Sequence, residues 1–451
     1  MTQAFNLSQL ANGVDSSGKL DLSTNSKNPS WTTDISANSV TVGKGGGAVS
    51  TNTAVGASAL AANTSGSVNT AIGYNALDAN TSGLQNTAVG NMAVSSITTG
   101  NNNTGIGHRA LESSTGNDNS AVGSAALQSN TTGASNVAIG QAALLANTTA
   151  SNSVAIGYQA AYTSNTYITA VGFQALRLAT GVENTAVGYN AGGSITTGGG
   201  NTILGERAAQ AMTTGSTNVL IGSYVCGAGV LAGDNNVAIG RQAFVGATTA
   251  GNNVAIGYFA LYSASSCTNN TSIGLNASSG ITSGSNNLCL GQGAGNGASP
   301  SGNLTTESNR ICLGDNSITN AYIKVSWTVT SDARDKADIV DSRYGLNFVN
   351  ALRPVEYKWD MRSNYEEGQT PDGTHKENKT NLGFLAQEVI EVEKANGGVA
   401  GDLLIADDES DDLLRITETK MIPVLVKAIQ ELKTIVDAQA AEIAELKAKV
   451  I

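Results

Sequence analysis

Few side chains in this sequence are of a kind that does chemistry, and most stand where chemistry is hard to organise. Cys226, Cys267, Cys289 and Cys312 show no C-x-x-C spacing and have only His108 and His375 for company. A structural zinc site is therefore not expected, and neither is any other metal or cofactor. Cys289 in "NNLCLG" and Cys312 in "NRICLG" fill a position that is elsewhere mostly alanine, which reads as a small buried apolar role. Between Thr51 and Lys324 carboxylates are sparse. Glu112 and Asp118 come nearest to the positioned pair that glycoside hydrolysis needs, but loop charges for solubility explain them better. Ser16 and Lys19 fit S-x-x-K without the companion motifs of serine acyl-transferases. Tyr158, Phe173 and Tyr189 recur at equivalent positions, with Tyr74 and Tyr258 elsewhere. Such a column offers ring faces to the sugars of a surface glycan, or serves only to tie neighbouring layers together.

The elements that carry these residues are repeats. Aligning on the glycine that ends each "NTAVG"-like unit gives sixteen positions, from Gly56, Gly73 and Gly90 through Gly291 and, after a longer gap, Gly314. The residue before the glycine is always Val, Ile or Leu, and the one before that is usually Ala. That alternation predicts a short strand with two constrained faces: branched residues filling the interior of a coil, and small residues pressed against something else. Ile203 and Leu220 break the small-residue limit, so looser packing is expected there. Asn stands four places before the glycine in thirteen of the sixteen units, where its side chain satisfies backbone groups at the start of the strand. Ala recurs three places after the glycine, often followed by Leu and then by a Thr/Ser/Asn/Gly turn. Each unit reads as one coil of strand, bend, second short strand and loop.

Composition agrees with shallow layers rather than one thick core: 53 glycines, 5 % aromatic residues and 13 % charged residues. No proline interrupts the chain between Pro29 and Pro300, as continuous backbone pairing requires. A net charge of −11 argues against nucleic-acid binding. No apolar run approaches a membrane span, and the first residues lack a signal peptide's basic start and apolar core, so synthesis in a cytoplasm and no membrane insertion are expected.

"NSVAIGYQA", "NVAIGQAAL" and "NTAVGYNAG" resemble the head repeats of trimeric autotransporter adhesins, over about Asn52 to Gly314. The resemblance implies a left-handed parallel β-roll associated in threes, with the alanine face as the subunit interface.

From Val325 onward the period stops and the chain changes character, holding 15 of the 24 basic and 24 of the 35 acidic residues. This predicts a separate, conventional domain. At its end Leu425, Ile429, Leu432, Val436, Gln439, Ile443, Leu446 and Val450 follow steps of four and three, the period of a coiled coil with one polar seam residue. The alternative is an amphipathic helix packed on its own domain.

The motifs "TSDARDKADIVD", "LNFVNALRPVEYKW", "NLGFLAQEVIEV" and "MIPVLVKAIQELK" resemble, in that order, the intramolecular chaperone domain at the C-termini of phage tail fibres and tailspikes, the peptidase S74 family. The resemblance implies a domain that trimerises, templates folding of the preceding fibre and cuts itself off between Ser331 and Asp332, with Ser331 as nucleophile and Lys336 as base. Ser-Lys pairs are a known variant of triad logic, provided the lysine is held neutral. Attack by Ser331 on its own carbonyl would close a strained small ring, which leaves a neighbouring chain or a water-based route.

The fold expected is thus mostly β: a trimeric parallel β-roll or β-solenoid shaft of about 17-residue coils, then an α+β chaperone domain ending in a coiled-coil helix. Residues 1–42 are expected to attach to other tail or baseplate proteins, 43–315 to form the shaft, 316–331 the distal tip and cleavage junction, and 332–451 the chaperone. The function expected is a virion tail fibre binding a host-surface receptor, a glycan or a protein, through the Tyr158, Phe173 and Tyr189 column or through the tip. A tailspike depolymerase and a bacterial adhesin are the alternatives. Any enzyme activity is limited to one cut in the chain itself.

Overall fold

The computed structural model describes residues 34–450, apart from 38–39, 164–166, 298, 326, 367 and 409–413. Most of the segment expected to attach to the particle, with Ser16 and Lys19, lies outside the described residues. The chain forms two compact units, Met1–Asn253 and Val254–Ile451.

In the first unit each repeat contributes one short strand. Thr53–Gly56, Thr70–Ile72 and their successors up to Val237–Ile239 pair in parallel, each with the next. The register matches repeat position to repeat position, as in Thr53 with Thr70, Ala54 with Ala71 and Val55 with Ile72. Val254–Ile256, Thr271–Ile273, Leu288–Leu290 and Ile311–Leu313 do the same in the second unit. This is the parallel β-solenoid that the repeat predicts. Its first described coil is covered by an antiparallel strand, Val40–Gly43, itself paired with Ile35–Ala37, which closes an otherwise open edge.

The second short strand expected in each coil is absent among the described residues. After each repeat glycine from Gly56 to Gly291 the chain runs through turns in which alternate residues take left-handed backbone, such as Asn75 (φ 52°) and Leu77 (φ 50°). Coil-to-coil hydrogen bonds survive without extended backbone: the Asn75 N–H donates back to Ala57 O at 3.0 Å and the Leu77 N–H forward to Ala93 O at 3.1 Å. The alternation points successive amides to opposite neighbours, so the ladder is kept while the chain bends round the core.

The two faces of the strand are the reverse of those expected. Ala54, Ala71, Ala88 and Ala138 are wholly buried inside their own chain, with Leu60, Leu77, Leu111 and Leu127 filling the same interior, whereas the branched residues face outward. An alanine face serving as a subunit interface is thereby ruled out. The cause is volume. A thin coil that already holds a leucine from the turn has room for only a methyl from the strand. Gly105 shows the limit, since a Cβ there would lie 2.5 Å from Val94 Cγ2. Ile203 and Leu220 do not loosen the packing either, because both are buried, and Ile203 takes up space that Gly192 leaves in its coil.

Two columns hold the coils in register. From Gly56 to Gly274 the repeat glycines have φ between 128° and 142°, as at Gly73 (φ 134°), where a Cβ would sit 2.4 Å from Gly90 O. Only glycine allows both the conformation and that approach of backbone to backbone. Beside them runs a buried asparagine ladder. Asn86 Nδ2 donates to Gly100 O at 2.8 Å, and its Oδ1 accepts from the Asn103 N–H at 2.9 Å. Each interior amide so satisfied avoids a cost of about 1–3 kcal/mol for a stranded group.

Beyond the last repeat the second unit builds a small core from Tyr344, Phe348, Val389, Ile390, Ile405, Ala406, Met421 and Val424. Around it lie the helices Leu346–Ala351 and Ala386–Ala395, and two antiparallel strand pairs, Val355–Tyr357 with Asn381–Gly383 and Ala406–Asp407 with Arg415–Ile416. Glu393 is a buried carboxylate that accepts the Leu404, Ile405 and Ala406 N–H groups at 2.8, 3.0 and 2.7 Å. The terminal helix, Met421–Val450, is attached only along its first turns. Met421, Val424 and Ala428 are buried there, and Glu431 accepts the Leu346 N–H at 2.7 Å, capping the shorter helix. From Leu432 to Lys449 every residue is exposed, the heptad residues Val436, Ile443 and Leu446 included.

Candidate functional site

Ser331 and Lys336 are separated by a single turn of 3-10 helix, Ala333–Asp335. Asp332 starts it, its carboxylate accepting the Arg334 N–H at 2.9 Å. The turn folds the chain back so that Lys336 Nζ donates to Ser331 Oγ at 2.7 Å. Arg334 also forks onto Asp332, Nε to Oδ1 at 3.1 Å and Nη2 to Oδ2 at 2.6 Å. Those hydrogen bonds hold the Asp332 carboxyl below the usual carboxylate range. The arginine thus occupies the nearest carboxylate and leaves the lysine to the hydroxyl. Both Ser331 and Lys336 are exposed in the single chain. The segment that precedes Ser331 is exposed too: Val325, Trp327 and Val329 alternate with polar residues and lie open to solvent, Trp327 at 74 %.

A second set of contacts joins the C-terminal core to the last repeat. Arg415 Nε donates to Pro300 O at 3.0 Å and its Nη2 to Ser301 O at 2.6 Å, while Nη1 pairs with Asp407 at 3.2 Å. Pro300 and Ser301 belong to the one coil with a 23-residue step, so its extra residues supply the carbonyls that Arg415 grips.

Tyr158, Phe173 and Tyr189 do form a column. Their centroids are 5.2 and 5.1 Å apart with planes inclined by 15° and 7°, and Arg207 covers Tyr189 at 5.6 Å. Each inner ring therefore spends its faces on its neighbours and shows mainly its edge. Glu112 accepts from Gln128 Nε2 at 2.7 Å and Asp118 from Asn102 Nδ2 at 2.9 Å, so each carboxylate is held within its own side-chain ladder. Among the described residues no cluster of three metal-ligating side chains occurs, and no helix is long and apolar enough to cross a membrane.

Sequence reasoning missed Arg334, Glu393 and Arg415. The first had a local signal, an arginine two places after a capping aspartate. Glu393 sits on the apolar face of "VIEVEK", where a carboxylate is unexpected without partners. Arg415 had no signal, because its acceptors are backbone atoms 114 and 115 residues away.

Residues 331–398 match the family model of peptidase S74, the chaperone of endosialidase. No curated protein and no solved structure matches the chain. A chaperone segment of this family following a long β-solenoid fits a tail fibre or tailspike.

Proposed function

We propose that this chain is the protomer of a homotrimeric tail fibre whose C-terminal segment aligns three chains and then severs itself between Ser331 and Asp332, leaving a shaft that binds a host-surface glycan. The observation that carries this reading is the apolar surface a single chain leaves uncovered. Ile106, Val122, Ile139 and Ile156 make an outward stripe along successive coils, Ile139 being 41 % exposed, and the terminal helix shows a bare heptad face. Contiguous apolar surface of this kind calls for a partner, and a repeat pattern is best matched by copies of itself.

The same reading explains why a chaperone is needed. Sixteen near-identical coils can pair out of register at little local cost, and non-local pairing is slow. A helix that associates first sets the register at one end, and the Arg415 contact passes it to the last coil. Partner chains over Val325, Trp327 and Val329 would also desolvate the adjoining Ser331 and Lys336, which a lysine base requires. Cleavage would then follow assembly.

Gel electrophoresis in detergent with and without boiling, beside the Ser331→Ala variant, tests both parts. The expected result is a heat-labile trimer band for both proteins and a shorter chain for the native one alone. Monomer of full length in every lane would refute the proposal. Attachment through residues 1–42 and a place in the virion tail belong to the same reading, and immunogold labelling of purified particles checks them.

A further inference from the structure

We infer that the shaft carries a binding groove for a neutral hexopyranose sugar at Phe259, Tyr262 and Asn303, away from the Tyr158 column; the inference deepens the receptor reading and rests on it. An open groove of about 370 Å³ lies there, within the ~300–1,000 Å³ usual for small-molecule sites. Three consecutive coils build it, and the step to 23 residues in the last one creates it. Asn303, from that longer coil, lies over Gly280, where a Cβ would stand 2.3 Å from Asn303 Oδ1. A side chain at 280 would fill the groove.

The lining has the chemistry of sugar recognition. Phe259 lies against Tyr258, centroids 4.0 Å apart and planes tilted by 33°, and meets Tyr262 edge to face at 4.8 Å and 81°, so the exposed Tyr262 is the ring that offers a face to a ligand, unlike the inner rings of the parallel Tyr158 column. The negative face of an aromatic ring attracts the C–H face of a pyranose. Asn276, Asn303 and Ser263 supply amide and hydroxyl groups that both donate and accept, which suits vicinal hydroxyls. No lining residue carries a charge, which favours a neutral sugar over a uronate or sialate.

Saturation-transfer NMR on the full-length fibre with glucose, galactose, N-acetylglucosamine and glucuronate tests this. Transfer to at least one neutral sugar and less to glucuronate is expected. Tyr262→Ser and Asn303→Ala, both at exposed positions, should each weaken binding about tenfold, the equivalent of one good contact, while Tyr158→Ser leaves it unchanged. No transfer to any neutral sugar, or undiminished transfer in both groove variants, overturns the groove. Adsorption to host cells separates the two readings. Native fibre that adsorbs but takes no neutral sugar refutes the groove and keeps the receptor role, whereas sugar bound in the groove without adsorption keeps the groove and removes that role.

Discussion

Arg415 holds Pro300 across 115 residues of chain, its guanidinium Nε donating to the proline carbonyl at 3.0 Å. A second bond to Ser301 O makes the grip two-pronged, and Asp407 fixes the guanidinium from behind. If the proposed cut after Ser331 is made, contacts of this kind are what would tie the released segment to the shaft. Hydrogen bonds from a charged donor are worth about 1.5–3 kcal/mol, so Arg415→Ala should speed departure of the cleaved fragment by roughly ten- to a hundredfold. Size-exclusion chromatography of cleaved fibre at timed intervals measures this, and equal dissociation in the variant would show that the grip is incidental.

The period of the shaft was legible because glycine is irreplaceable at one point per coil, where positive φ and backbone contact coincide at residues such as Gly73. The facing of the strand was not. Alternation in "NTAVG" separates two faces but does not say which is inside, and the usual rule that branched residues go inward fails in a coil whose interior is already filled by Leu77 and its equivalents. The turn after the glycine hides its backbone for a similar reason, since Asn75 and Leu77 take left-handed conformations for which asparagine, but not leucine, is a signal. Ser331 and Lys336 could be singled out only by resemblance, because four residues lie between them and nothing in "SDARDK" by itself says that the turn folds back.

The reversal of faces has an experimental consequence. Ile139→Glu lies on the outward stripe, so it should leave each coil foldable while blocking association of chains. Ala138→Leu puts three more heavy atoms into a filled interior and should cost about 1–3 kcal/mol or more in the fold itself. Circular dichroism with sedimentation distinguishes the two. Loss of β-structure in the first variant and a normal trimer in the second would restore the alanine face as the interface.

Burial makes the Cys226 and Cys267 thiols unreactive and ties them to stability at high pH. Desolvation pushes the Cys226 thiol from 9.0 up to about 12 and that of Cys267 up to about 11. A raised folded-state value means the native state keeps protons that the unfolded chain releases. The stabilising effect is complete below pH 9.0 and is lost as pH climbs toward 12. Cys226 and Cys267 should therefore show negligible reaction with a disulfide reagent at neutral pH, read by mass spectrometry of the labelled peptides, and the melting temperature should fall above pH 9. Cys226→Ala and Cys267→Ala together should flatten that fall; an unchanged slope would assign it to other groups.

The position of Ser331 restricts how the proposed cut could be made. Its Oγ could reach its own carbonyl carbon only by closing a four-membered ring, so the oxygen that attacks the Ser331–Asp332 bond must be a neighbouring chain's Ser331 Oγ or a water activated by the dyad. Mixed trimers decide between them. Native chains co-expressed with tagged Ser331→Ala chains leave each tagged bond beside intact dyads. If a neighbour attacks, the tagged chains are cut in mixed trimers but not in pure Ser331→Ala trimers. If water is activated within each chain, tagged chains stay whole in both. Lys336→Ala should abolish cutting of its own trimers in either case, at the cost of the 2.7 Å contact that readies the hydroxyl. Cleavage that persists in pure Lys336→Ala trimers would remove the dyad from the reaction altogether.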